Sequence, residues 1–203
     1  MILFVDLEAS SLAPDGYPIE VAWVDQDGKG ETHLIRPADE WLRADTGNPG
    51  WCPESERIHG ISLATLMVEG DPVREVAARA AILSATYVMA CSDAPERDGA
   101  WLNQLFRAAG LRRSVRLVDV RKLYGLACRP LRDGLPLGDG PARERAEQRV
   151  RNLALEIVGR AEEVEQLRSR TRHRALPDAE ALWRTWSAVR DEVARHLQAE
   201  GPG

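Results

Sequence analysis

The chain opens on Ile2-Leu3-Phe4-Val5-Asp6-Leu7-Glu8-Ala9-Ser10. Four consecutive apolar residues predict a strand buried on both faces. Two acids then arrive at the end of that strand. Residues two apart on an extended chain point the same way, so Asp6 and Glu8 share one side. Carboxylates placed together repel one another and lose hydration, which is costly without a partner. A hard divalent cation is the usual remedy, because it prefers oxygen ligands. A strand that merely runs out into an acidic turn would carry the same residues. A lone D-x-E pair does not separate the two readings.

The following segments predict an antiparallel start to a sheet. Leu12-Ala13-Pro14-Asp15-Gly16 reads as a turn and Pro18–Val24 as a second strand. Asp25-Gln26-Asp27-Gly28 is a hairpin signal leading to a third strand over Glu31–Arg36. The stretch from Pro37 to Arg57 is irregular, with Trp41 and Trp51 expected to pin it. Asp71-Pro72 predicts a helix start, Asp71 capping and Pro72 in the first turn. Short strands are expected at Tyr87–Ala90 and Val115–Val118. Between them lies a helix opening at Asp98, with Trp101, Leu102, Leu105 and Phe106 on one face and Gly110 at its end. Arg129–Gly140 reads as a Pro/Gly-rich loop, Ala142–Arg168 as a long amphipathic helix, and Pro177–Ala199 as a final helix. Hairpin-ordered strands followed by alternating helix and strand give a mixed α/β sheet.

With 203 residues, 44% of them hydrophobic, the chain can bury a sizeable core. The formal net charge of -5 argues against indiscriminate coating of nucleic acid, though not against a local basic groove. Cys52, Cys91 and Cys128 lack CxxC spacing, which predicts a reducing, cytoplasmic setting with neither zinc site nor disulfide framework. No apolar run is long enough to span a membrane, and the opening run lacks the basic lead of a signal peptide.

Two further acids sit at element boundaries: Asp98 in Ala94-Pro95-Glu96-Arg97-Asp98, and Asp178 in His173-Arg174-Ala175-Leu176-Pro177-Asp178. D-x-E, then a mid-chain Asp before a helix, then H-x4-D near the end resembles the DEDDh 3′–5′ exonucleases, the proofreading-exonuclease branch of the ribonuclease H-like fold. Ile19-Glu20-Val21-Ala22, His59-Gly60-Ile61-Ser62 and Leu117-Val118-Asp119 support the likeness, which runs from Ile2 to about Trp186. It implies a ribonuclease H-like mixed five-stranded sheet flanked by helices, with a long additional helix before the last motif. Residues 1–200 would form a single exonuclease domain, with 129–172 as a loop and long-helix insertion.

Carried over residue by residue, the resemblance makes Asp6, Glu8, Asp98 and Asp178 the ligands of two Mg²⁺ or Mn²⁺ ions and His173 the general base. It places Ser10, Ser11, Leu12 and His59 against the substrate. The implied partner is the 3′ end of DNA or RNA, with a homodimer or a polymerase or repair partner as the assembly and no membrane. Such chemistry releases 5′-mononucleotides by two-metal hydrolysis. The chain departs from the family at Cys91-Ser92-Asp93 and Arg97-Asp98, where a small-residue or His-Asn segment and then Phe-Asp are usual; Asp98 is the aligned ligand and Asp93 the alternative to it. Arg168, Arg170, Arg172 and Arg174 are either a solvated run or phosphate contacts. Asp119 reads as a structural cap, His33 and His196 as surface positions, and Trp183 and Trp186 as core. The rival readings are an exonuclease-like binding or adaptor subunit with little activity, and an α/β domain whose acids only cap elements.

Overall fold

In the computed structural model β1 (Ile2–Ala9) lies inside a six-stranded sheet, between β2 (Pro18–Asp25), antiparallel to it, and β5 (Met89–Ser92), parallel to it. Residues 1–42, 48, 50–168 and 173–199 are described, Ser84 by its backbone only. Adding β3 (Gly30–Arg36), β4 (Asp71–Pro72) and β6 (Val118–Asp119), the strand order is β4-β3-β2-β1-β5-β6. The alternation of β1 explains its double burial. Leu3, Val5 and Leu7 enter one core with Val21, Trp23 and Ile35, while Phe4, fully buried, lies on the other face, in line with Asp6 and Glu8.

The helices covering the first face are α3 (Val73–Thr86), through Val76, Ala77 and Ala80, and α4 (Pro95–Ala108), through Leu102, Leu105 and Phe106. The spacing of those three α4 residues is the helical face predicted from sequence. The helix closes at Gly110, whose φ of 73° is a left-handed conformation that glycine adopts without strain.

The mixed α/β class is the predicted one, with differences in detail. The sixth strand, β4, lies where a helix cap was expected. Asp71 pairs with Ile35 of β3 and its carboxylate bonds His33 Nδ1 at 2.8 Å, so α3 starts at Val73 with no side-chain cap. His33 is therefore not a surface bystander: its Nε2 also meets Glu31 at 2.9 Å. The fifth predicted strand shrinks to β6 because Asn103 captures both backbone groups of Val115, at 2.8 and 3.2 Å. Tyr87 caps α3 instead of opening β5, its N–H donating to Leu83.

Two short helices also interrupt the stretch after β3. They are α1 (Pro53–His59), with Pro53 in its first turn, and α2 (Leu63–Glu69), capped by Ser62, whose Oγ accepts the Thr65 N–H. Trp41 stacks on Tyr17 at 5.5 Å, and Trp51 donates to Glu56 at 2.8 Å, so both indoles do pin this segment.

The chain forms two compact units, residues 1–119 with 170–180, and residues 120–169 with 181–203. The sheet belongs to the first. The second is helical: α5 (Val120–Ala127), a 3₁₀ turn over Arg129–Arg132, α6 (Pro141–Gln166) and most of α7 (Ala175–Ala199). The long helix expected before the last motif is α6. The second core gathers Cys128, Leu131, Ile157, Val189 and Val193. Glu165, nearly buried, is neutralised by Arg184 at 2.9 Å and by Arg168 at 3.0 Å. No helix among the described residues is long and apolar enough to cross a membrane.

Candidate active site

The acids of β1 meet acids from two distant segments at the carboxyl ends of the parallel strands β1 and β5, where ligands bind in open α/β sheets. One carboxylate oxygen from each of Asp6, Glu8 and Asp178 lies within 4.8 Å of the others, and the same holds for Asp6, Asp93 and Asp98. Asp6 is common to both groups. Both groups fall within the first compact unit. Asp98 comes from the first turn of α4 and Asp178 from the first turn of α7. The four acids singled out from sequence are therefore brought together. Asp93, weighed as a substitute for Asp98, stands beside it rather than in its place.

Electrostatics marks the cluster as uncompensated. Burial, then repulsion from Asp98, Glu8, Asp178 and Asp93, holds the Asp6 carboxyl well above the ordinary carboxylate range. Burial and the charges of Asp178, Glu20 and Asp98 push Glu8 up to about 8, with Arg174 pulling the other way. Burial and Asp93 push Asp98 up to about 7, against a hydrogen bond donated by Ser92 Oγ and the charge of Arg97. Ser92 is itself fixed, accepting the Ala94 N–H at 2.9 Å. Oxygen-only donors in this number suit magnesium or manganese.

Glu20 organises the last motif. It sits on β2 opposite Glu8 and is 1% exposed. Arg174 grips it through Nε at 3.0 Å and Nη2 at 2.7 Å, and the Ala175 N–H donates to it at 2.9 Å. The start of α7, and with it Asp178, is tied to the sheet. The neighbouring His173 is exposed, has φ 59°, and donates its backbone N–H to Asp178 Oδ2 at 2.9 Å. The histidine's ring therefore projects from a loop whose backbone is held by an acid of the cluster. α7 starts at Ala175, two residues before the expected Pro177. Nothing local in Ile19-Glu20-Val21-Ala22 assigns Glu20 a role. An acid inside a buried strand was itself the signal that a cation must reach it.

Ser10 is fully buried; its hydroxyl donates to the Gly50 carbonyl at 2.7 Å and accepts the Tyr17 N–H at 3.0 Å. That hydroxyl is committed to the loop. Gly16 makes the close turn feasible, since a Cβ there would meet the Ser11 carbonyl oxygen at 2.2 Å. Ser11 Oγ accepts the Ala13 N–H at 3.0 Å, and Leu12 stands 70% exposed beside it. His59 is 5% exposed and edge-on to Trp51. Its Nδ1 accepts the Ile61 N–H at 3.1 Å, which leaves the proton of the neutral ring on Nε2, and that buried atom has no hydrogen-bond partner among the described residues. Burial lowers its pKa and keeps the ring neutral. Of the arginines near His173, Arg168 and Arg174 are paired with Glu165 and Glu20, while Arg170 and Arg172 lie outside the described residues. Asp119 ends β6 opposite Ser92 and is not in either acidic group.

No protein-family model and no curated protein matches the chain. Among solved structures, it is similar to E. coli exonuclease I. The zinc-bound complex of that protein with single-stranded DNA matches 98% of this chain and 42% of its own, at 17% identity and a TM-score of 0.59. The same protein with a dT13 oligonucleotide matches 98% and 42%, at 18% identity and a TM-score of 0.58. The chain thus spans less than half the length of these structures. The likeness is one of fold, that of exonuclease I.

Proposed function

We propose that this chain is a 3′–5′ exonuclease that hydrolyses the terminal phosphodiester of a nucleic-acid strand and releases 5′-mononucleotides. The observation that carries the reading is the convergence of two carboxylate groups on a shared Asp6, drawn from segments about 90 and 170 residues along the chain. Exonuclease I, whose fold it resembles, is known in complex with single-stranded DNA, and we assign single-stranded DNA as the first substrate to test.

Asp6, Glu8 and Asp178 would hold one divalent cation, and Asp6, Asp98 and Asp93 the other. Two bound magnesium or manganese ions supply charge neutralisation at the phosphoryl group under displacement. The chain's own residues do the rest. His173, exposed on its loop, takes the proton of the attacking water near neutral pH. Glu20 and Arg174 hold Asp178 and the backbone of His173 in one geometry. Leu12, with Ser11 and the loop that Ser10 fixes, packs against the terminal nucleotide.

The test is a single strand labelled at its 5′ end, incubated with Mn²⁺. A descending ladder with mononucleotide product supports the reading. Internal fragments, or inhibition by a blocked 5′ end alone, contradict it. A strand that is bound and never shortened would return the chain to the adaptor class.

A further inference from the structure

The helical unit of this acidic chain carries a net-positive stretch. From Val120 to Arg151 there are eight basic residues against four acidic, a net of +4 in a chain whose total is -5. Folding of the helical unit gathers part of that charge into one groove of about 200 Å³, lined by Arg129 and Arg132 of the 3₁₀ turn and by Arg151 and Glu147 of α6, over a floor of Val150 and Ala154.

The single acid of the groove is already engaged. Arg143, one turn earlier on α6, donates to Glu147 at 2.9 Å, and Arg132 approaches it at 4.0 Å. Arg143 is itself anchored by the Pro136 carbonyl at 2.7 Å. Arg cations hold the Glu147 carboxyl below its ordinary range, so it stays ionised and spent on them. The groove keeps an excess of guanidinium charge. Guanidinium forks match phosphate oxygens, and the apolar floor accommodates their methylene stems.

We propose that this groove is an accessory site for the phosphodiester backbone of a nucleic-acid strand, remote in sequence from the acidic cluster and independent of base identity. The proposal rests on the nuclease reading for the choice of polyanion. Contacts to phosphate position a strand without reading its sequence. With three arginines against one neutralised acid, the groove takes about two phosphates, each giving a salt slope of about 0.7 on a single strand.

The experiment uses the full chain in EDTA and a fluorescent oligothymidylate, with anisotropy followed as salt is raised from about 50 to about 200 mM. The variant is Arg129→Gln/Arg132→Gln/Arg151→Gln. Its logarithmic affinity should fall with salt less steeply than wild type by about 1.4, and its low-salt affinity should be weaker. Arg151→Glu alone, an exposed change on a long helix, should weaken binding in the same direction and guards against misfolding of the triple variant. A second arm measures Mn²⁺-dependent cleavage of a dinucleotide, whose single phosphodiester is the bond under attack at the acidic cluster, and its turnover should be unchanged in the variants. Equal affinity and equal slope in all three proteins overturn the proposal. Failure of every protein, wild type included, to cleave the dinucleotide and longer strands overturns the nuclease reading instead.

Discussion

Asp98→Asn should make the metal-free protein more stable at pH 8 while weakening stabilisation by metal at one of the two carboxylate groups. The wild-type carboxyl is pushed up from 3.8 to about 7, chiefly by burial and then by Asp93. A folded-state pKa above the unfolded one means that the native protein holds this proton more tightly. Stability is then full below about pH 4 and is lost as the pH rises through about 7. At 1.36 kcal/mol per pH unit the penalty at pH 8 is at most about 4 kcal/mol, and Asp6 and Glu8 share the same repulsion, so the recoverable part is on the order of 1–3 kcal/mol. Asparagine keeps an acceptor for the Ser92 hydroxyl and removes the charge. The assay is urea denaturation at pH 5 and pH 8, in EDTA and in Mn²⁺. In EDTA the variant should gain on wild type between the two pH values. With Mn²⁺ in hundredfold excess over its Kd, the Asp6–Asp93–Asp98 group should contribute about 2.7 kcal/mol in wild type and far less in the variant. A variant less stable than wild type at pH 8 in EDTA, with an unchanged response to Mn²⁺, would refute the reasoning.

Three other expectations follow from the same geometry. His173→Ala should slow turnover by about 10²–10⁴-fold with strand binding nearly intact, and the acidic limb of the pH–rate profile should change; wild-type turnover at neutral pH would remove the histidine from the base role. Glu20→Gln breaks the buried pair with Arg174 and should cost about 2–3 kcal/mol in urea denaturation while loosening Mn²⁺ binding through Asp178; unchanged metal affinity would show that the tie does not position the ligand. Gly16→Ala forces a Cβ onto the Ser11 carbonyl oxygen at 2.2 Å and should raise KM more than it lowers kcat, because the loop bearing Ser11 and Leu12 must shift.

Much of this architecture was legible because it is written in local patterns. The run Ile2–Val5 fits a strand buried on both faces, and β1 is one. The spacing of Leu102, Leu105 and Phe106 fixed the buried face of α4, and Gly110 marked its end. Where the prediction slipped, a tertiary partner outcompeted a local preference. Asp71 reads as a cap, but His33 and the edge of β3 claim it. Val115 reads as a strand residue, but Asn103 takes its backbone groups. At the site, the four acids were recognisable from their order along the chain. The role of Glu20 was not, because its partner Arg174 lies 154 residues away and only the fold brings them together. Ser10 shows the converse: the family resemblance implied a ligand contact, and burial against Gly50 and Tyr17 commits its hydroxyl to the loop.

The most direct measurement of the central claim is calorimetric titration of the full chain with Mn²⁺, in wild type and in Asp6→Asn. Asp6 belongs to both carboxylate groups, so it is the residue whose neutralisation should damage both sites at once. The account predicts two ions per chain in wild type, bound with release of protons near neutral pH because Glu8 and Asp98 titrate there when no metal is bound. In Asp6→Asn both binding events should weaken sharply. Binding of the same number of ions with the same affinity in the two proteins, and no proton release, would contradict it.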